Sequence, residues 1–185
     1  ENANLGGVWI GAHPSLGEKI ANELIRRQRV PGLAAASEIQ REVAGVAGCD
    51  MRTDFLLSHE AAEGDEAEGG GASKTVVEVK TVVDTDYDPA TPPPRKECRF
   101  LGAVPYSRAG IFPWGRSAQK GPDGEAVVSA RAIKHVDELA AISRGERTIR
   151  DVRLRAAVLF IVPRNDAASF RPNSEACPSF ARHLR

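Results

Sequence analysis

At 185 residues, 42% hydrophobic and 27% charged, the chain has the composition of a soluble globular domain and is long enough for one sizeable core. Lys+Arg and Asp+Glu both number 25, so bulk charge gives no argument for a polyanionic partner. No apolar run approaches the roughly 18 residues of a membrane span, and no signal-peptide pattern is present.

Charge is unevenly spread all the same. Residues 58–71 hold five acids (Glu60, Glu63, Asp65, Glu66 and Glu68) and no Lys or Arg, which leaves the remainder at +5. From Arg131 to Arg185 there are 11 basic and 6 acidic residues, a modest basic excess. Cys49, Cys98 and Cys177 are widely spaced, with no C-x-x-C, which argues against a zinc site or a disulfide framework. Reduced thiols predict an intracellular setting, whether cytoplasm, nucleus or organelle. The first residue is Glu1 rather than Met, so a processed form or a fragment is expected.

Val8-Trp9-Ile10 reads as a short strand. Ser15-Leu16-Gly17-Glu18 has the pattern of a capping box and opens a helix with Leu16, Ile20, Ala21, Leu24 and Ile25 as its apolar stripe. Arg26, Arg27 and Arg29 crowd its C-terminal end, where cations suit the helix dipole. Pro31-Gly32 stops it. A first strand is predicted from about Glu38 to Val46, with Ile39 and Val43 on one face and Gln40 and Glu42 on the other. A turn at Gly48-Cys49-Asp50 leads to a second strand, Met51 to Leu57. There Met51, Thr53, Phe55 and Leu57 share one face, and Arg52, Asp54 and Leu56 the other. Residues 58–73, acidic and rich in Ala and Gly, read as a flexible surface insertion.

The third strand, Thr75 to Val83, is β-branched and apolar on both faces, as in the centre of a covered sheet. Glu78 and Lys80 interrupt it on one face. Such charges cost several kcal/mol each, roughly, unless paired or opened to a wet cleft. An ion pair on a sheet edge is the plain reading; a metal site is the sharper one.

From about Asp84 to Val128 the pattern is irregular, with Pro92-Pro93-Pro94. Phe100, Tyr106, Phe112 and Trp114 are interleaved there with Arg95, Lys96, Arg99, Arg108, Arg116 and Lys120. Aromatics among cations suit single-stranded or distorted nucleic acid; they equally serve to pin a loop to the body. A second helix runs from Ser129 or a neighbour to about Ser143, stopped at Gly145. Ala132, Ile133, Val136, Leu139 and Ala140 form its buried face, and Arg131, Lys134, His135 and Glu138 a polar one. Ala156 to Val162 reads as a buried strand, with no strand after it and at most a short final helix. The order α-β-β-β-α-β implies an α/β sheet with helices on its faces.

If the second and third strands pair in register, Asp54, Glu78 and Lys80 converge on one face. Two carboxylates about 4 Å apart repel by roughly 4 kcal/mol at an effective dielectric near 20, and a hard divalent cation removes that repulsion.

Arg52-Thr53-Asp54-Phe55-Leu56-Leu57, then Val77-Glu78-Val79-Lys80, then Arg131 with Lys134-His135-Val136-Asp137-Glu138-Leu139, resemble the sugar fermentation stimulation protein family. Gly7-Val8-Trp9-Ile10-Gly11, Arg41-Glu42-Val43 and the Ala156–Val162 strand fit the same pattern. The resemblance covers most of the chain outside insertions at 58–73 and about 86–127, and places its start after the family's N-terminal OB-like module. It implies a single domain over 1–185 with an αβββαβ, restriction-endonuclease-like PD-(D/E)xK core, a mixed central sheet flanked by helices. It implies DNA binding. It also implies that Asp54 and Glu78 hold Mg²⁺ or Mn²⁺, that Lys80 assists the chemistry, and that Glu23 from the first helix or Glu42 from the first strand adds a further acid. The chain departs from the family at His13, where Asn is usual, and at Trp114, where Asp is usual.

Three readings follow. The first is a metal-dependent endonuclease in which water attacks a phosphodiester. The second is a non-catalytic DNA-binding module with Arg131, Lys134, Arg116 and Lys120 on phosphates. The third is a protein-interaction domain whose charged triad is structural.

Overall fold

The computed structural model describes residues 2–5, 8–11, 13, 15–60, 72–86, 108–115 and 118–185. In chain order the elements are β1 (Asn2–Leu5), β2 (Val8–Gly11), α1 (Leu16–Arg26), β3 (Glu38–Ala44), β4 (Arg52–His59), β5 (Ala72–Thr81), β6 (Arg108–Phe112), β7 (Gln119–Lys120), β8 (Ala126–Val127), α2 (Ala130–Ser143), β9 (Val152–Ile161), β10 (Ala167–Pro172) and α3 (Pro178–His183). The chain divides into two compact units. One comprises Glu1–Gly17, Thr81–Ile133 and Phe160–Arg185, the other Glu18–Lys80 and Lys134–Leu159.

The second unit carries the expected αβββαβ series: α1, β3, β4, β5, α2 and β9. Its sheet is mixed, in the order β3-β4-β5-β9. β3 pairs antiparallel with β4 from Glu38↔Ser58 to Ala44↔Arg52, and β4 antiparallel with β5 from Phe55↔Val77 to His59↔Ser73. The β-branched run Thr75-Val76-Val77 is buried, as its composition requires for a strand with neighbours on both sides. On one face Leu56 and Val76 pack with Val46, Cys49, Met51, Leu139 and Ile142. Met51 joins this cluster, and not Thr53 and Phe55 as predicted, because β4 begins at Arg52 and the alternation does not reach it. On the alternate face Phe55, Leu57 and Val77 are fully buried.

Strands β4 and β5 extend to His59 and Ala72, into the flanks of the stretch read as an insertion at 58–73. The remainder of that stretch, residues 61–71, lies outside the described residues, as do Phe100, Tyr106, Cys98, Arg95, Lys96, Arg99 and the Pro-rich 88–94 segment. β9 is not the fully buried strand predicted. As the last strand in the sheet order it has a sheet neighbour on one side among the described residues, and Ala156 to Phe160 are half-buried. α2 matches its expected span, with Ala132 N–H donating to Ser129 Oγ at its start.

The first unit is richer in strands than the sequence suggested. The hairpin β1–β2 is antiparallel, β7 pairs with β8, and β10 pairs in parallel with β6 inside what read as an irregular stretch. The strand after β9 went unforeseen because Ala167-Ala168-Ser169-Phe170-Arg171-Pro172 lacks both β-branched residues and alternation. Phe112 packs edge-on to Phe180 at 5.3 Å, and Phe160 stacks on Phe170 at 4.1 Å. So Phe112 pins its segment to the body. Gly17 meets Thr81 so closely that a Cβ would stand 1.8 Å from Thr81 Oγ1, which only glycine tolerates.

Candidate metal centre

The site lies in the second unit, where the β4–β5 ladder ends. Its last register pair is Phe55↔Val77. Continued by one residue, the register sets Asp54 opposite Glu78. There the backbone ladder gives way to side-chain bonds. Val79 N–H donates to Asp54 Oδ2 at 2.6 Å, and Thr53 Oγ1–H donates to Val77 O at 2.9 Å. By strand alternation Asp54 and Leu56 share a face, and Glu78 and Lys80 share it with Val76. That is the face on which Leu56 and Val76 pack with Leu139 and Ile142.

Glu78 is almost fully buried, at 3% exposure. Lys80 Nζ donates to its Oε1 at 2.5 Å, and His135 Nδ1 lies 2.6 Å from the same oxygen. A carboxylate only accepts, so Nδ1 carries the proton in this contact. The other oxygen, Oε2, is buried without a hydrogen-bond partner. Burial pushes the Glu78 carboxyl up, but the His135 hydrogen bond and the Lys80 charge outweigh it, so its pKa falls below the usual value. Asp54 moves the other way. Burial raises it to about 6, with the charges of Glu78 and Glu18 adding to the rise, against the Val79 N–H bond and Lys80.

Two further carboxylates meet Asp54. Oxygens of Glu18 from α1, Glu42 from β3 and Asp54 from β4 all lie within 4.8 Å of one another. Glu42 faces Asp54 across the β3–β4 register, at the one position where that ladder skips a pair; its φ is +55°. At this spacing each ionised pair repels by about 3 kcal/mol at an effective dielectric near 20. Arg41 NH2 stands 3.9 Å from Glu18, and Arg52 NH1 3.6 Å from Glu42. These contacts relieve part of the repulsion.

The structure thus brings together Asp54, Glu42, Glu78 and Lys80 from the residues singled out in the sequence. Glu23 is placed elsewhere: it forms an exposed ion pair with Arg27 at 2.5 Å, and the helix acid beside Asp54 is Glu18. Five residues turn an α-helix by about 140°, so the two acids point to different sides. The signal for Glu18 was present but was read as a capping box. In the structure Ser15 Oγ bonds His13 Nδ1 at 2.9 Å instead. His135 and Glu138 also leave the predicted polar face of α2: His135 is buried against Glu78, and Glu138 pairs with Arg147 at 3.0 Å.

Of the expected phosphate contacts, Arg131 and Lys120 are exposed residues of the first unit. Lys134 in the second unit is half-exposed and pairs with Asp50 at 2.5 Å. Arg116 lies outside the described residues.

Comparisons with known proteins agree with this arrangement. The family model described as the sugar fermentation stimulation protein RE domain matches residues 122–185. A sugar fermentation stimulation protein homolog of Maricaulis maris is 29% identical over 180 residues, covering 97% of this chain and 55% of that protein. The homologs of Ruegeria pomeroyi and Synechococcus elongatus are 27% and 25% identical, over 95% and 96% of this chain and 55% and 52% of theirs. The chain therefore spans about half the length of the curated relatives it matches. The structure of Pyrococcus furiosus SfsA in complex with Ca²⁺ superposes with a TM-score of 0.58 at 19% identity, over 97% of this chain and 55% of that one, and shows a shared nuclease-like fold. The family that sequence and fold both point to is that of the sugar fermentation stimulation proteins, matched by its model over residues 122–185 and by its curated members over nearly the whole chain.

Proposed function

We propose that this chain is a DNA-binding protein whose carboxylate centre holds Mg²⁺ or Mn²⁺ and hydrolyses phosphodiesters. The observation that carries the reading is the convergence of Glu18, Glu42 and Asp54 beside Glu78, whose Oε2 is buried with no partner. An all-oxygen, all-carboxylate donor set suits a hard divalent cation, and three anions held this close are otherwise in conflict. The residues present therefore fit such an ion, with Asp54, Glu18 and Glu42 as its holders and Glu78 Oε2 as a further donor. The Pyrococcus furiosus relative in complex with Ca²⁺ supports a cation of this kind.

Once bound, the ion supplies a polarised water and charge neutralisation at a phosphate. The protein supplies the rest. Glu78 fixes Lys80 Nζ at 2.5 Å, so the ammonium keeps its charge in a site with little water and stands ready to orient a nucleophile. His135 holds the same glutamate from the other side.

The test is a Mn²⁺ titration by calorimetry, followed by incubation of single-stranded and branched DNA with Mg²⁺ or Mn²⁺. Wild type is expected to bind the ion and cut, and Asp54→Ala to do neither. Ion binding without cleavage of any DNA would leave a non-catalytic DNA-binding module; no ion binding would remove the metal centre.

A further inference from the structure

Arg41 and Arg52 flank the acidic cluster, and no role has yet been given to them. Arg41 approaches Glu18 at 3.9 Å with its guanidinium 5.7 Å from the centre of the Phe55 ring; Arg52 approaches Glu42 at 3.6 Å. Both separations exceed hydrogen-bond length, and both side chains are about half exposed. The guanidiniums are held near the carboxylates by charge while their N–H groups, five on each, remain open to an oxyanion.

The sign of the site decides what they do. Glu78 and Lys80 cancel. Three carboxylates against two guanidiniums leave the cluster at −1 with Asp54 ionised, which repels a phosphodiester. A divalent cation among the carboxylates reverses that to +1 and removes the reason for either arginine to lean on its glutamate. We propose that Arg41 and Arg52 form a phosphate-binding pair that is exposed to DNA only when the carboxylates are occupied by a divalent cation, so that ion and DNA bind cooperatively. This rests on the metal-binding reading above and adds to it the residues that couple the ion to the backbone of the nucleic acid.

The experiment measures two affinities separately. Ca²⁺ binding is followed by calorimetry. Binding of a fluorescent single-stranded DNA is followed by anisotropy in EDTA and in saturating Ca²⁺, across a salt series. Wild type is expected to bind DNA at least tenfold more tightly with Ca²⁺. The Arg41→Gln, Arg52→Gln double variant should lose that gain while keeping its EDTA affinity, and should bind Ca²⁺ as tightly as wild type or more so. Its salt slope in Ca²⁺ should be shallower by about 2, one unit for each lost phosphate contact. The Arg41→Lys, Arg52→Lys variant keeps the charge and should keep most of the gain. A double Gln variant that binds Ca²⁺ and retains the full gain would overturn the arginine assignment alone. Wild type that binds no Ca²⁺ would overturn the metal centre, and this proposal with it.

Discussion

Nδ1 of His135 stands 2.6 Å from Oε1 of Glu78, the oxygen that also accepts from Lys80, so both contacts fall on one side of the carboxylate and its Oε2 is left over. Donors that fix a metal-binding carboxylate from behind commonly change ion affinity by about 10–100-fold when removed. His135→Ala is expected to lose affinity of that order. His135→Asn, whose amide nitrogen can stand where Nδ1 does, should recover most of it. Mn²⁺ calorimetry on the three proteins reads this directly; equal affinities would reduce the histidine to packing.

Asp54 makes the metal-free protein pH-sensitive in an unusual direction. Its folded pKa, about 6, lies above the ordinary value of 3.8. Between those values the folded protein keeps a proton that the unfolded chain has released, so stability falls as pH rises through the window. Asp54→Asn keeps an oxygen for Val79 N–H but carries no charge. In EDTA at pH 7.5 it should melt above wild type, with a flatter profile between about pH 4 and 6. Calorimetric melts showing wild type the more stable of the two would contradict this.

Glu18 and Glu23, five residues apart on α1, are expected to behave oppositely. Glu18→Gln should weaken divalent-ion binding, because it removes one of the clustered oxygens. Glu23→Gln should leave it unchanged and cost at most about 0.5 kcal/mol of stability, the worth of an exposed i,i+4 pair. Parallel titrations and melts separate the two; a metal defect in the Glu23 variant would place the helix acid wrongly.

The core behind the site is Leu56, Val76, Leu139 and Ile142 with their neighbours. Leu139→Ala is expected to cost about 2–5 kcal/mol, the range for a buried leucine truncated in a packed core. Urea unfolding should show a lower midpoint at unchanged m-value; a cost below about 1 kcal/mol would mean the α2 packing is looser than described.

The chemistry of β5 was legible because its period is two. Alternation alone put Glu78 and Lys80 on one face, and the β4–β5 register then carried Asp54 to the same face. Glu42 was legible as an acid on the site side of β3. What the sequence hid was three-dimensional. Nothing in the local pattern tells a capping glutamate from a clustered one, which is why Glu18 was read for its helix and not for its neighbours. His135 looked like a surface residue because it sits between Lys134 and Asp137. Only the position of α2 against the Leu56–Val76 face makes it a buried partner of Glu78. β10 and the half-burial of β9 were missed for a related reason: edges and parallel pairs depend on what lies alongside, which a single strand's composition does not record.

Glu42 holds its carboxylate in place from a backbone conformation, φ +55°, that a side-chain-bearing residue enters at a cost of roughly 1–2 kcal/mol. Foldability on its own would favour glycine there. A Glu42→Gly chain should therefore be sturdier than its parent while being poorer at retaining its ion. In that one position durability and purpose pull apart, and a stability screen run on this protein would select against the very acid its work depends on.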